Sequence, residues 1–147
     1  MTKYLLDTNI ILRFCNPTDV QHELVTQAVI NLLAQADECY LSTQVLIEFW
    51  VVATRPTDVN GLGWSIEQTR HIIDGLLDRF PIVEESFQLF PKWLNLVTEN
   101  NIKGKRTHDA RIVALMLTSD IHHVLTLNPN DFSGIPGITV VHSREIL

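Results

Sequence analysis

The sequence predicts an α/β domain built on a mostly parallel sheet. Short apolar runs of strand length alternate with longer stretches of helical period, the pattern of a parallel sheet with helical crossovers. The first run, Tyr4-Leu5-Leu6, ends abruptly on Asp7 and a second apolar run follows at once, which reads as a buried strand feeding directly into a helix. From Val20 to Ala36 the apolar residues Val20, Leu24, Val25, Ala28, Val29, Leu32, Leu33 and Ala36 form one continuous helical face.

The remaining elements follow in order. Asn16-Pro17-Thr18-Asp19 breaks the chain after a short helix from Asn9 to Phe14. Cys39-Tyr40-Leu41 is a short strand, and Ser42 is placed to cap a helix over Thr43 to Thr54. That helix is apolar almost all round, so it is expected to be largely buried, with Glu48 as its only acid. Arg55-Pro56 ends it. Ser65-Ile66-Glu67-Gln68 matches a capping box, so the next helix starts near Ile66, with a face of Ile66, Thr69, Ile72, Ile73, Leu76 and Leu77. Phe80-Pro81-Ile82-Val83 resembles an edge strand, because proline is confined to such positions. Phe87 to Val97 is helical in pattern, with Pro91 near its start. Asn100 to Arg106 is a polar, basic loop, and Thr107 is a candidate cap for a helix over His108 to Leu117. His123 to Leu127 and Ile138 to Val141 read as strands, separated by the turn Asn128-Pro129-Asn130-Asp131-Phe132.

With 147 residues, 46% of them hydrophobic and 19% charged, the chain suits a single globular domain spanning residues 1–147. No stretch approaches the roughly 18 apolar residues of a membrane span. The start runs straight into the first strand without a signal-peptide pattern, so a cytoplasmic protein is expected. In that compartment Cys15 and Cys39 are expected to be reduced thiols. The histidines match no zinc-site spacing, and His122-His123 reads as a loop pair. A net charge of −6 argues against broad nucleic-acid binding through charge alone. It is compatible with a metal-dependent nuclease, whose site is acidic and whose cations bring the positive charge.

Three acids sit where packing does not explain them. Asp7 ends an apolar strand, Glu48 lies inside an apolar helix, and Asp109 lies in the first turn of another. Each has a plain structural reading: Asp7 as a helix cap, Glu48 reaching out from a helix edge or accepting from Arg55, and Asp109 favoured by a helix dipole. An isolated buried carboxylate costs several kcal/mol unless it is paired or metal-bound. No matching set of basic residues is evident, so convergence of the three around divalent cations is the reading that satisfies them jointly. Oxygen ligands of this kind suit Mg²⁺ or Mn²⁺.

The blocks Leu-Leu-Asp-Thr-Asn-Ile-Ile-Leu, Ser-Thr-Gln-Val-Leu-Ile-Glu-Phe and Thr-His-Asp-Ala-Arg-Ile-Val-Ala-Leu-Met resemble, in order and spacing, the three acidic blocks of PIN domains. Within that family the chain is most similar to VapC-like toxins. Thr54-Arg55-Pro56, Asn60-Gly61-Leu62-Gly63 and Leu125 to Phe132 share the likeness, which covers essentially the whole chain. The resemblance implies a PIN-like three-layer α/β/α sandwich and a metal-dependent endoribonuclease, expected to be the toxin of a toxin–antitoxin pair. It implies Asp7, Glu48 and Asp109 as catalytic and metal-binding residues, a cognate antitoxin as partner, and a homodimer. The family often carries a fourth acid just after the late-strand Thr. Here that place is Asn128, which departs from the pattern, and Asp131 is the candidate substitute.

On this reading Asp7 and Asp109 hold one Mg²⁺, or Mn²⁺, and Glu48 completes the site or orients the attacking water, with a second ion as an open question. Thr8, Asn9 and Ser42 are small polar neighbours that could hold these ligands in place, or could simply cap helices. Arg13, Arg55, Lys103, Lys105 and Arg106 are the candidate contacts to RNA phosphates, with Arg111 beside them. Trp64 could stack on a base or pack over the helix beneath it. Two other readings stay open: a stand-alone PIN-domain RNA-processing nuclease, and an inactive PIN-like binding protein. Phosphoryl transfer of the haloacid-dehalogenase type would want an acid at Asn9. A receiver domain would want paired acids before Asp7, and Gly61-Leu62-Gly63 lacks dinucleotide-binding spacing.

Overall fold

The computed structural model describes residues 1–146. Four strands form one all-parallel sheet in the order β2-β1-β3-β4. They are β1 (Lys3–Leu6), β2 (Glu38–Tyr40), β3 (His123–Thr126) and β4 (Thr139–His142). Six helices flank it, making a three-layer α/β/α sandwich: α1 (Thr8–Phe14), α2 (His22–Ala34), α3 (Thr43–Thr54), α4 (Ile66–Arg79), α5 (Leu89–Glu99) and α6 (Arg106–Thr118). Helix α1 packs on α2 and α3, α3 on α4, and α5 on α6. No helix among the described residues is long and apolar enough to cross a membrane.

The chain steps from β1 outward to β2, then crosses back over β1 to lay β3 on its other side. Strand order therefore reverses between β1 and β3, and a crevice opens beyond their carboxyl ends, where open α/β sheets bind ligands. Leu5 and Leu6 of β1 and Val124 and Leu125 of β3 are fully buried, which fixes the two central strands in register, Leu6 beside Leu125.

Local chemistry explains most boundaries. The Ser42 hydroxyl accepts from the Val45 N–H at 3.0 Å, and Ser65 does the same for Gln68 at 3.0 Å, so α3 and α4 begin where their caps are. The loop after α3 folds back on that helix. Leu62 N–H donates to the Val52 carbonyl and Trp64 N–H to the Ala53 carbonyl, satisfying groups the helix end would leave bare. Gly61 is required there, because a Cβ would stand 1.8 Å from the Arg55 oxygen. Trp64 then packs edge-on against Phe49, with ring centroids 6.3 Å apart.

The structure corrects four expectations. Helix α2 starts at His22, not Val20, because Asp19 organises a turn by accepting from Gln21 N–H, and Val20 is left in solvent. Thr107 does not cap α6. The helix begins two residues earlier, at Arg106, and the Thr107 hydroxyl donates to the Gly104 carbonyl. Phe80 to Val83 contributes a single bridge, Leu41 to Ile82, in place of a strand. His123 opens β3, as the strand reading over His123 to Leu127 has it, and packs against Tyr4, so the loop-pair reading of His122-His123 fails for His123. Helix α3 buries Val45, Leu46, Phe49 and Ala53, while Ile47 and Val51 are 60% and 51% exposed. Cys15 and Cys39 are free, and burial pushes both thiols up to about 12.

Candidate active site

Asp7 is the residue after β1 and the N-cap of α1, and it is buried. Its Oδ1 accepts from the Thr8 N–H at 2.8 Å, the ordinary capping bond. Its Oδ2 does something a cap does not need: it accepts from the Thr126 hydroxyl at 2.8 Å, at the tip of β3. Asn9 braces the same corner. Its Nδ2 donates to Asp7 Oδ2 at 3.4 Å and to Thr126 Oγ1 at 3.2 Å, and its Oδ1 accepts from Leu127 N–H at 3.0 Å. Asn128 N–H donates to Thr126 Oγ1 at 3.0 Å. The tips of the two central strands are thereby stitched together around one carboxylate, at the point where strand order reverses.

Three other acids are within electrostatic reach of Asp7 or of Asp109. Thr8 Oγ1 donates to Glu48 Oε1 at 3.2 Å, tying the α3 acid to the residue after Asp7. Asp109 stands in the first turn of α6. Asp131 lies in the 3-10 turn Pro129–Phe132, just beyond β3. Burial pushes the Asp7 carboxyl up to about 6 despite its bonds to Thr126 and Thr8, and the charges of Glu48 and Asp131 raise it further. Burial likewise pushes Asp109 up to about 7, with the charges of Asp131, Asp7 and Glu48 adding and only Arg106 opposing. The charges of Glu48 and Asp131 thus reach both Asp7 and Asp109.

Among the described residues, none of these four acids forms an ion pair; the acids that do are Asp19, Asp74, Glu85 and Asp120. Such a basin calls for external positive charge. Among the described residues no three Asp, Glu, His or Cys side chains already converge on a single ligating point. Mg²⁺ does not demand that, since it keeps several waters and is held by one or two carboxylates. The donor set, all oxygen and all anionic, fits Mg²⁺ or Mn²⁺.

The structure places the remaining sequence candidates differently. Ser42 caps α3 and bonds none of the four acids. Arg13 pairs with Asp19 at 3.7 Å. Arg55 donates to Asn60 O at 2.9 Å and so holds its own loop. Arg106 bonds the Ser133 carbonyl beside Asp109. Lys103 and Lys105 are exposed in the loop that opens α6. Asn128 makes no side-chain cap bond, whereas Asp131 adds charge to the basin. Sequence reasoning missed Thr126, whose signal was a lone hydroxyl ending an apolar strand. It also missed Gln44, 9% exposed on α3, whose signal was an amide inside an apolar helix.

The PIN domain family profile matches residues 4–137. The chain is a PIN-domain protein. No curated protein matches it by sequence. Among solved structures, VapBC2 from Rickettsia felis bound to a promoter DNA fragment aligns with TM-score 0.70 at 23% identity, covering 96% of this chain and 98% of that one. A toxin–antitoxin complex from Klebsiella pneumoniae aligns with TM-score 0.62 at 26% identity, covering 95% and 97%. VapC20 from Mycobacterium tuberculosis, a sarcin–ricin-loop-cleaving toxin, aligns with TM-score 0.55 at 18% identity, covering 82% and 86%. The four-stranded parallel sheet and six helices described above are this chain's version of the PIN fold.

Proposed function

We propose that this PIN domain is a divalent-metal-dependent endoribonuclease and the toxin half of a VapBC-type pair. The observation that carries the reading is the basin of Asp7, Glu48, Asp109 and Asp131 at the switch point of the sheet, without a basic partner of its own. Asp7 and Asp109 would hold the cation, Mg²⁺ or Mn²⁺, with Asp131 substituting for the fourth acid of the family pattern, whose own place is taken by Asn128. A cation bound there supplies Lewis-acid polarisation of a phosphate oxygen and lowers the pKa of its own water toward neutrality. Glu48, steered by the Thr8 hydroxyl, is placed to orient the water that attacks phosphorus. Thr126 and Asn9 keep the Asp7 carboxylate aimed into the crevice. Lys103 and Lys105, at the mouth of α6, attract the flanking phosphates.

The antitoxin and homodimer readings rest on the resemblance, and exposed apolar surface supports them. Helices α3 and α4 leave open a groove of about 350 Å³ lined by Ile47, Trp50, Val51, Ile73 and Ile82. Phe87, Phe90 and Leu94 project from the start and face of α5. Contiguous apolar surface of this kind marks proteins that work in complexes.

The test is cleavage of a pool of structured RNAs by purified protein in Mg²⁺, Mn²⁺ or EDTA, beside Asp7→Asn and Asp109→Asn. Metal-dependent cleavage that drops at least about 100-fold in both variants is the expected result. No cleavage with either metal, while the protein is folded, would remove the enzyme reading and leave a PIN-fold binding protein.

A further inference from the structure

Gln44 lies one turn before Glu48 on α3 and is almost wholly buried. Both ends of its amide are engaged by α6. Its Nε2 donates to the His108 carbonyl at 2.8 Å, and its Oε1 accepts from Arg111 Nη1 at 3.0 Å. The His108 carbonyl belongs to the peptide unit from which Asp109 hangs. Arg111 is itself held from the other side, since its Nη2 donates to Glu85 Oε2 at 2.8 Å, in the segment before α5. This polar clamp links α3 directly to α6. Only an amide can serve: it offers one donor and one acceptor at the same tip, whereas a carboxylate offers acceptors alone and an aliphatic chain neither.

We propose that Gln44 is a positioning residue, whose two amide bonds set the separation of Glu48 on α3 from Asp109 on α6 and so the width of the cation basin. The inference rests on the nuclease reading above, and deepens it. Glu48 and Asp109 come from distant parts of the chain, and the charge of Glu48 disfavours a second charge on Asp109. The clamp ties the two helices one turn from Glu48 and at the peptide unit that carries Asp109. Arg111 is thereby a strut of the scaffold, its guanidinium divided between Gln44 and Glu85.

The experiment measures Mn²⁺ affinity by electron paramagnetic resonance, and amide hydrogen exchange across residues 106–112, in the intact protein, in Gln44→Leu and in Arg111→Met. Supporting partners of a metal ligand are worth about 10–100-fold in affinity. Gln44→Leu is expected to weaken Mn²⁺ by that factor and to speed exchange in the first turn of α6, while exchange in α2 stays unchanged. Arg111→Met, which removes the Oε1 contact and the Glu85 ion pair but leaves the Nε2 bond to the His108 carbonyl, is expected to fall between, and it carries the test if Gln44→Leu does not fold. Mn²⁺ affinity equal to wild type in a folded variant overturns the proposal. If wild type itself binds no Mn²⁺, the metal reading fails separately. The clamp is then judged on exchange alone: faster exchange in the α6 turn keeps it, and unchanged exchange overturns it.

Discussion

At the scale of single residues, the crevice is held by side chains whose bonds are not required by the fold. Thr126 is the clearest case. Its hydroxyl donates to Asp7 and accepts from Asn9 and Asn128 N–H, in a fully buried position. Thr126→Val keeps the shape and removes all three bonds. It is expected to cost about 1–3 kcal/mol in denaturant unfolding, because a buried carboxylate and an N–H lose a partner. It should also weaken divalent-cation affinity about 10-fold or more, read by calorimetry. The acids have a pH signature as well. Asp7 and Asp109 have carboxyl groups raised from 3.8 to about 6 and about 7, so in metal-free protein the folded state holds protons more tightly than the unfolded chain. Their contribution to stability is fully present below pH 3.8 and is lost as pH rises through 6 to 7. A cation must displace those protons, so Mn²⁺ binding at pH 6 is expected to release protons, and affinity to fall as pH drops from 7.5 to 5.5. Calorimetry in buffers of different ionisation enthalpy reads both. Binding without proton release would place the cation elsewhere.

At the scale of elements, what could be read from sequence was what local chemistry decides. Ser42 and Ser65 announce α3 and α4 because a cap bonds within three residues. Asp7 stands out because an apolar strand ends on it. Thr107 misled, because the chain already turns at Gly104, which has φ +60°, and α6 starts before the threonine. Phe80 to Val83 looked like a strand and forms one bridge, because Pro81 brings no N–H to a ladder. The Gln44–Arg111–Glu85 network was invisible, since its partners are 67 and 26 residues apart and follow no periodicity. Likewise, the influence of the Asp131 charge on Asp109 was not legible, because it depends on where the 3-10 turn Pro129–Phe132 stands relative to α6. One element carries a sharp stability prediction. The loop after α3 closes only because residue 61 lacks a side chain. Gly61→Ala is expected to lower stability by about 2 kcal/mol or more, since a Cβ would overlap the Arg55 carbonyl. A thermal melt that matches wild type would show that the loop adopts another path.

At the scale of the whole molecule, the topology gathers the acids. The order β2-β1-β3-β4 brings the tips of β1 and β3 together, α1 carries Thr8 beside Glu48, and α6 delivers Asp109 from a distant part of the chain. The result is four carboxylates concentrated in one corner of a chain with net charge −6. Such an arrangement costs stability by itself, and the cation proposed above would offset that cost by neutralising it. The most direct test of that claim is thermal unfolding of wild type and Asp7→Asn at pH 7.5, in EDTA and in 10 mM Mg²⁺. The Asp7 shift from 3.8 to about 6, at about 1.4 kcal/mol per unit and less the cost of an imperfect amide, predicts that Asn stabilises the metal-free protein by about 2 kcal/mol. At this chain length that is about 4–8 °C in Tm. Mg²⁺ should raise the melting point of wild type and leave that of Asp7→Asn unchanged. A wild type indifferent to Mg²⁺, with a variant that melts lower than it in EDTA, would contradict the account and make Asp7 a structural cap.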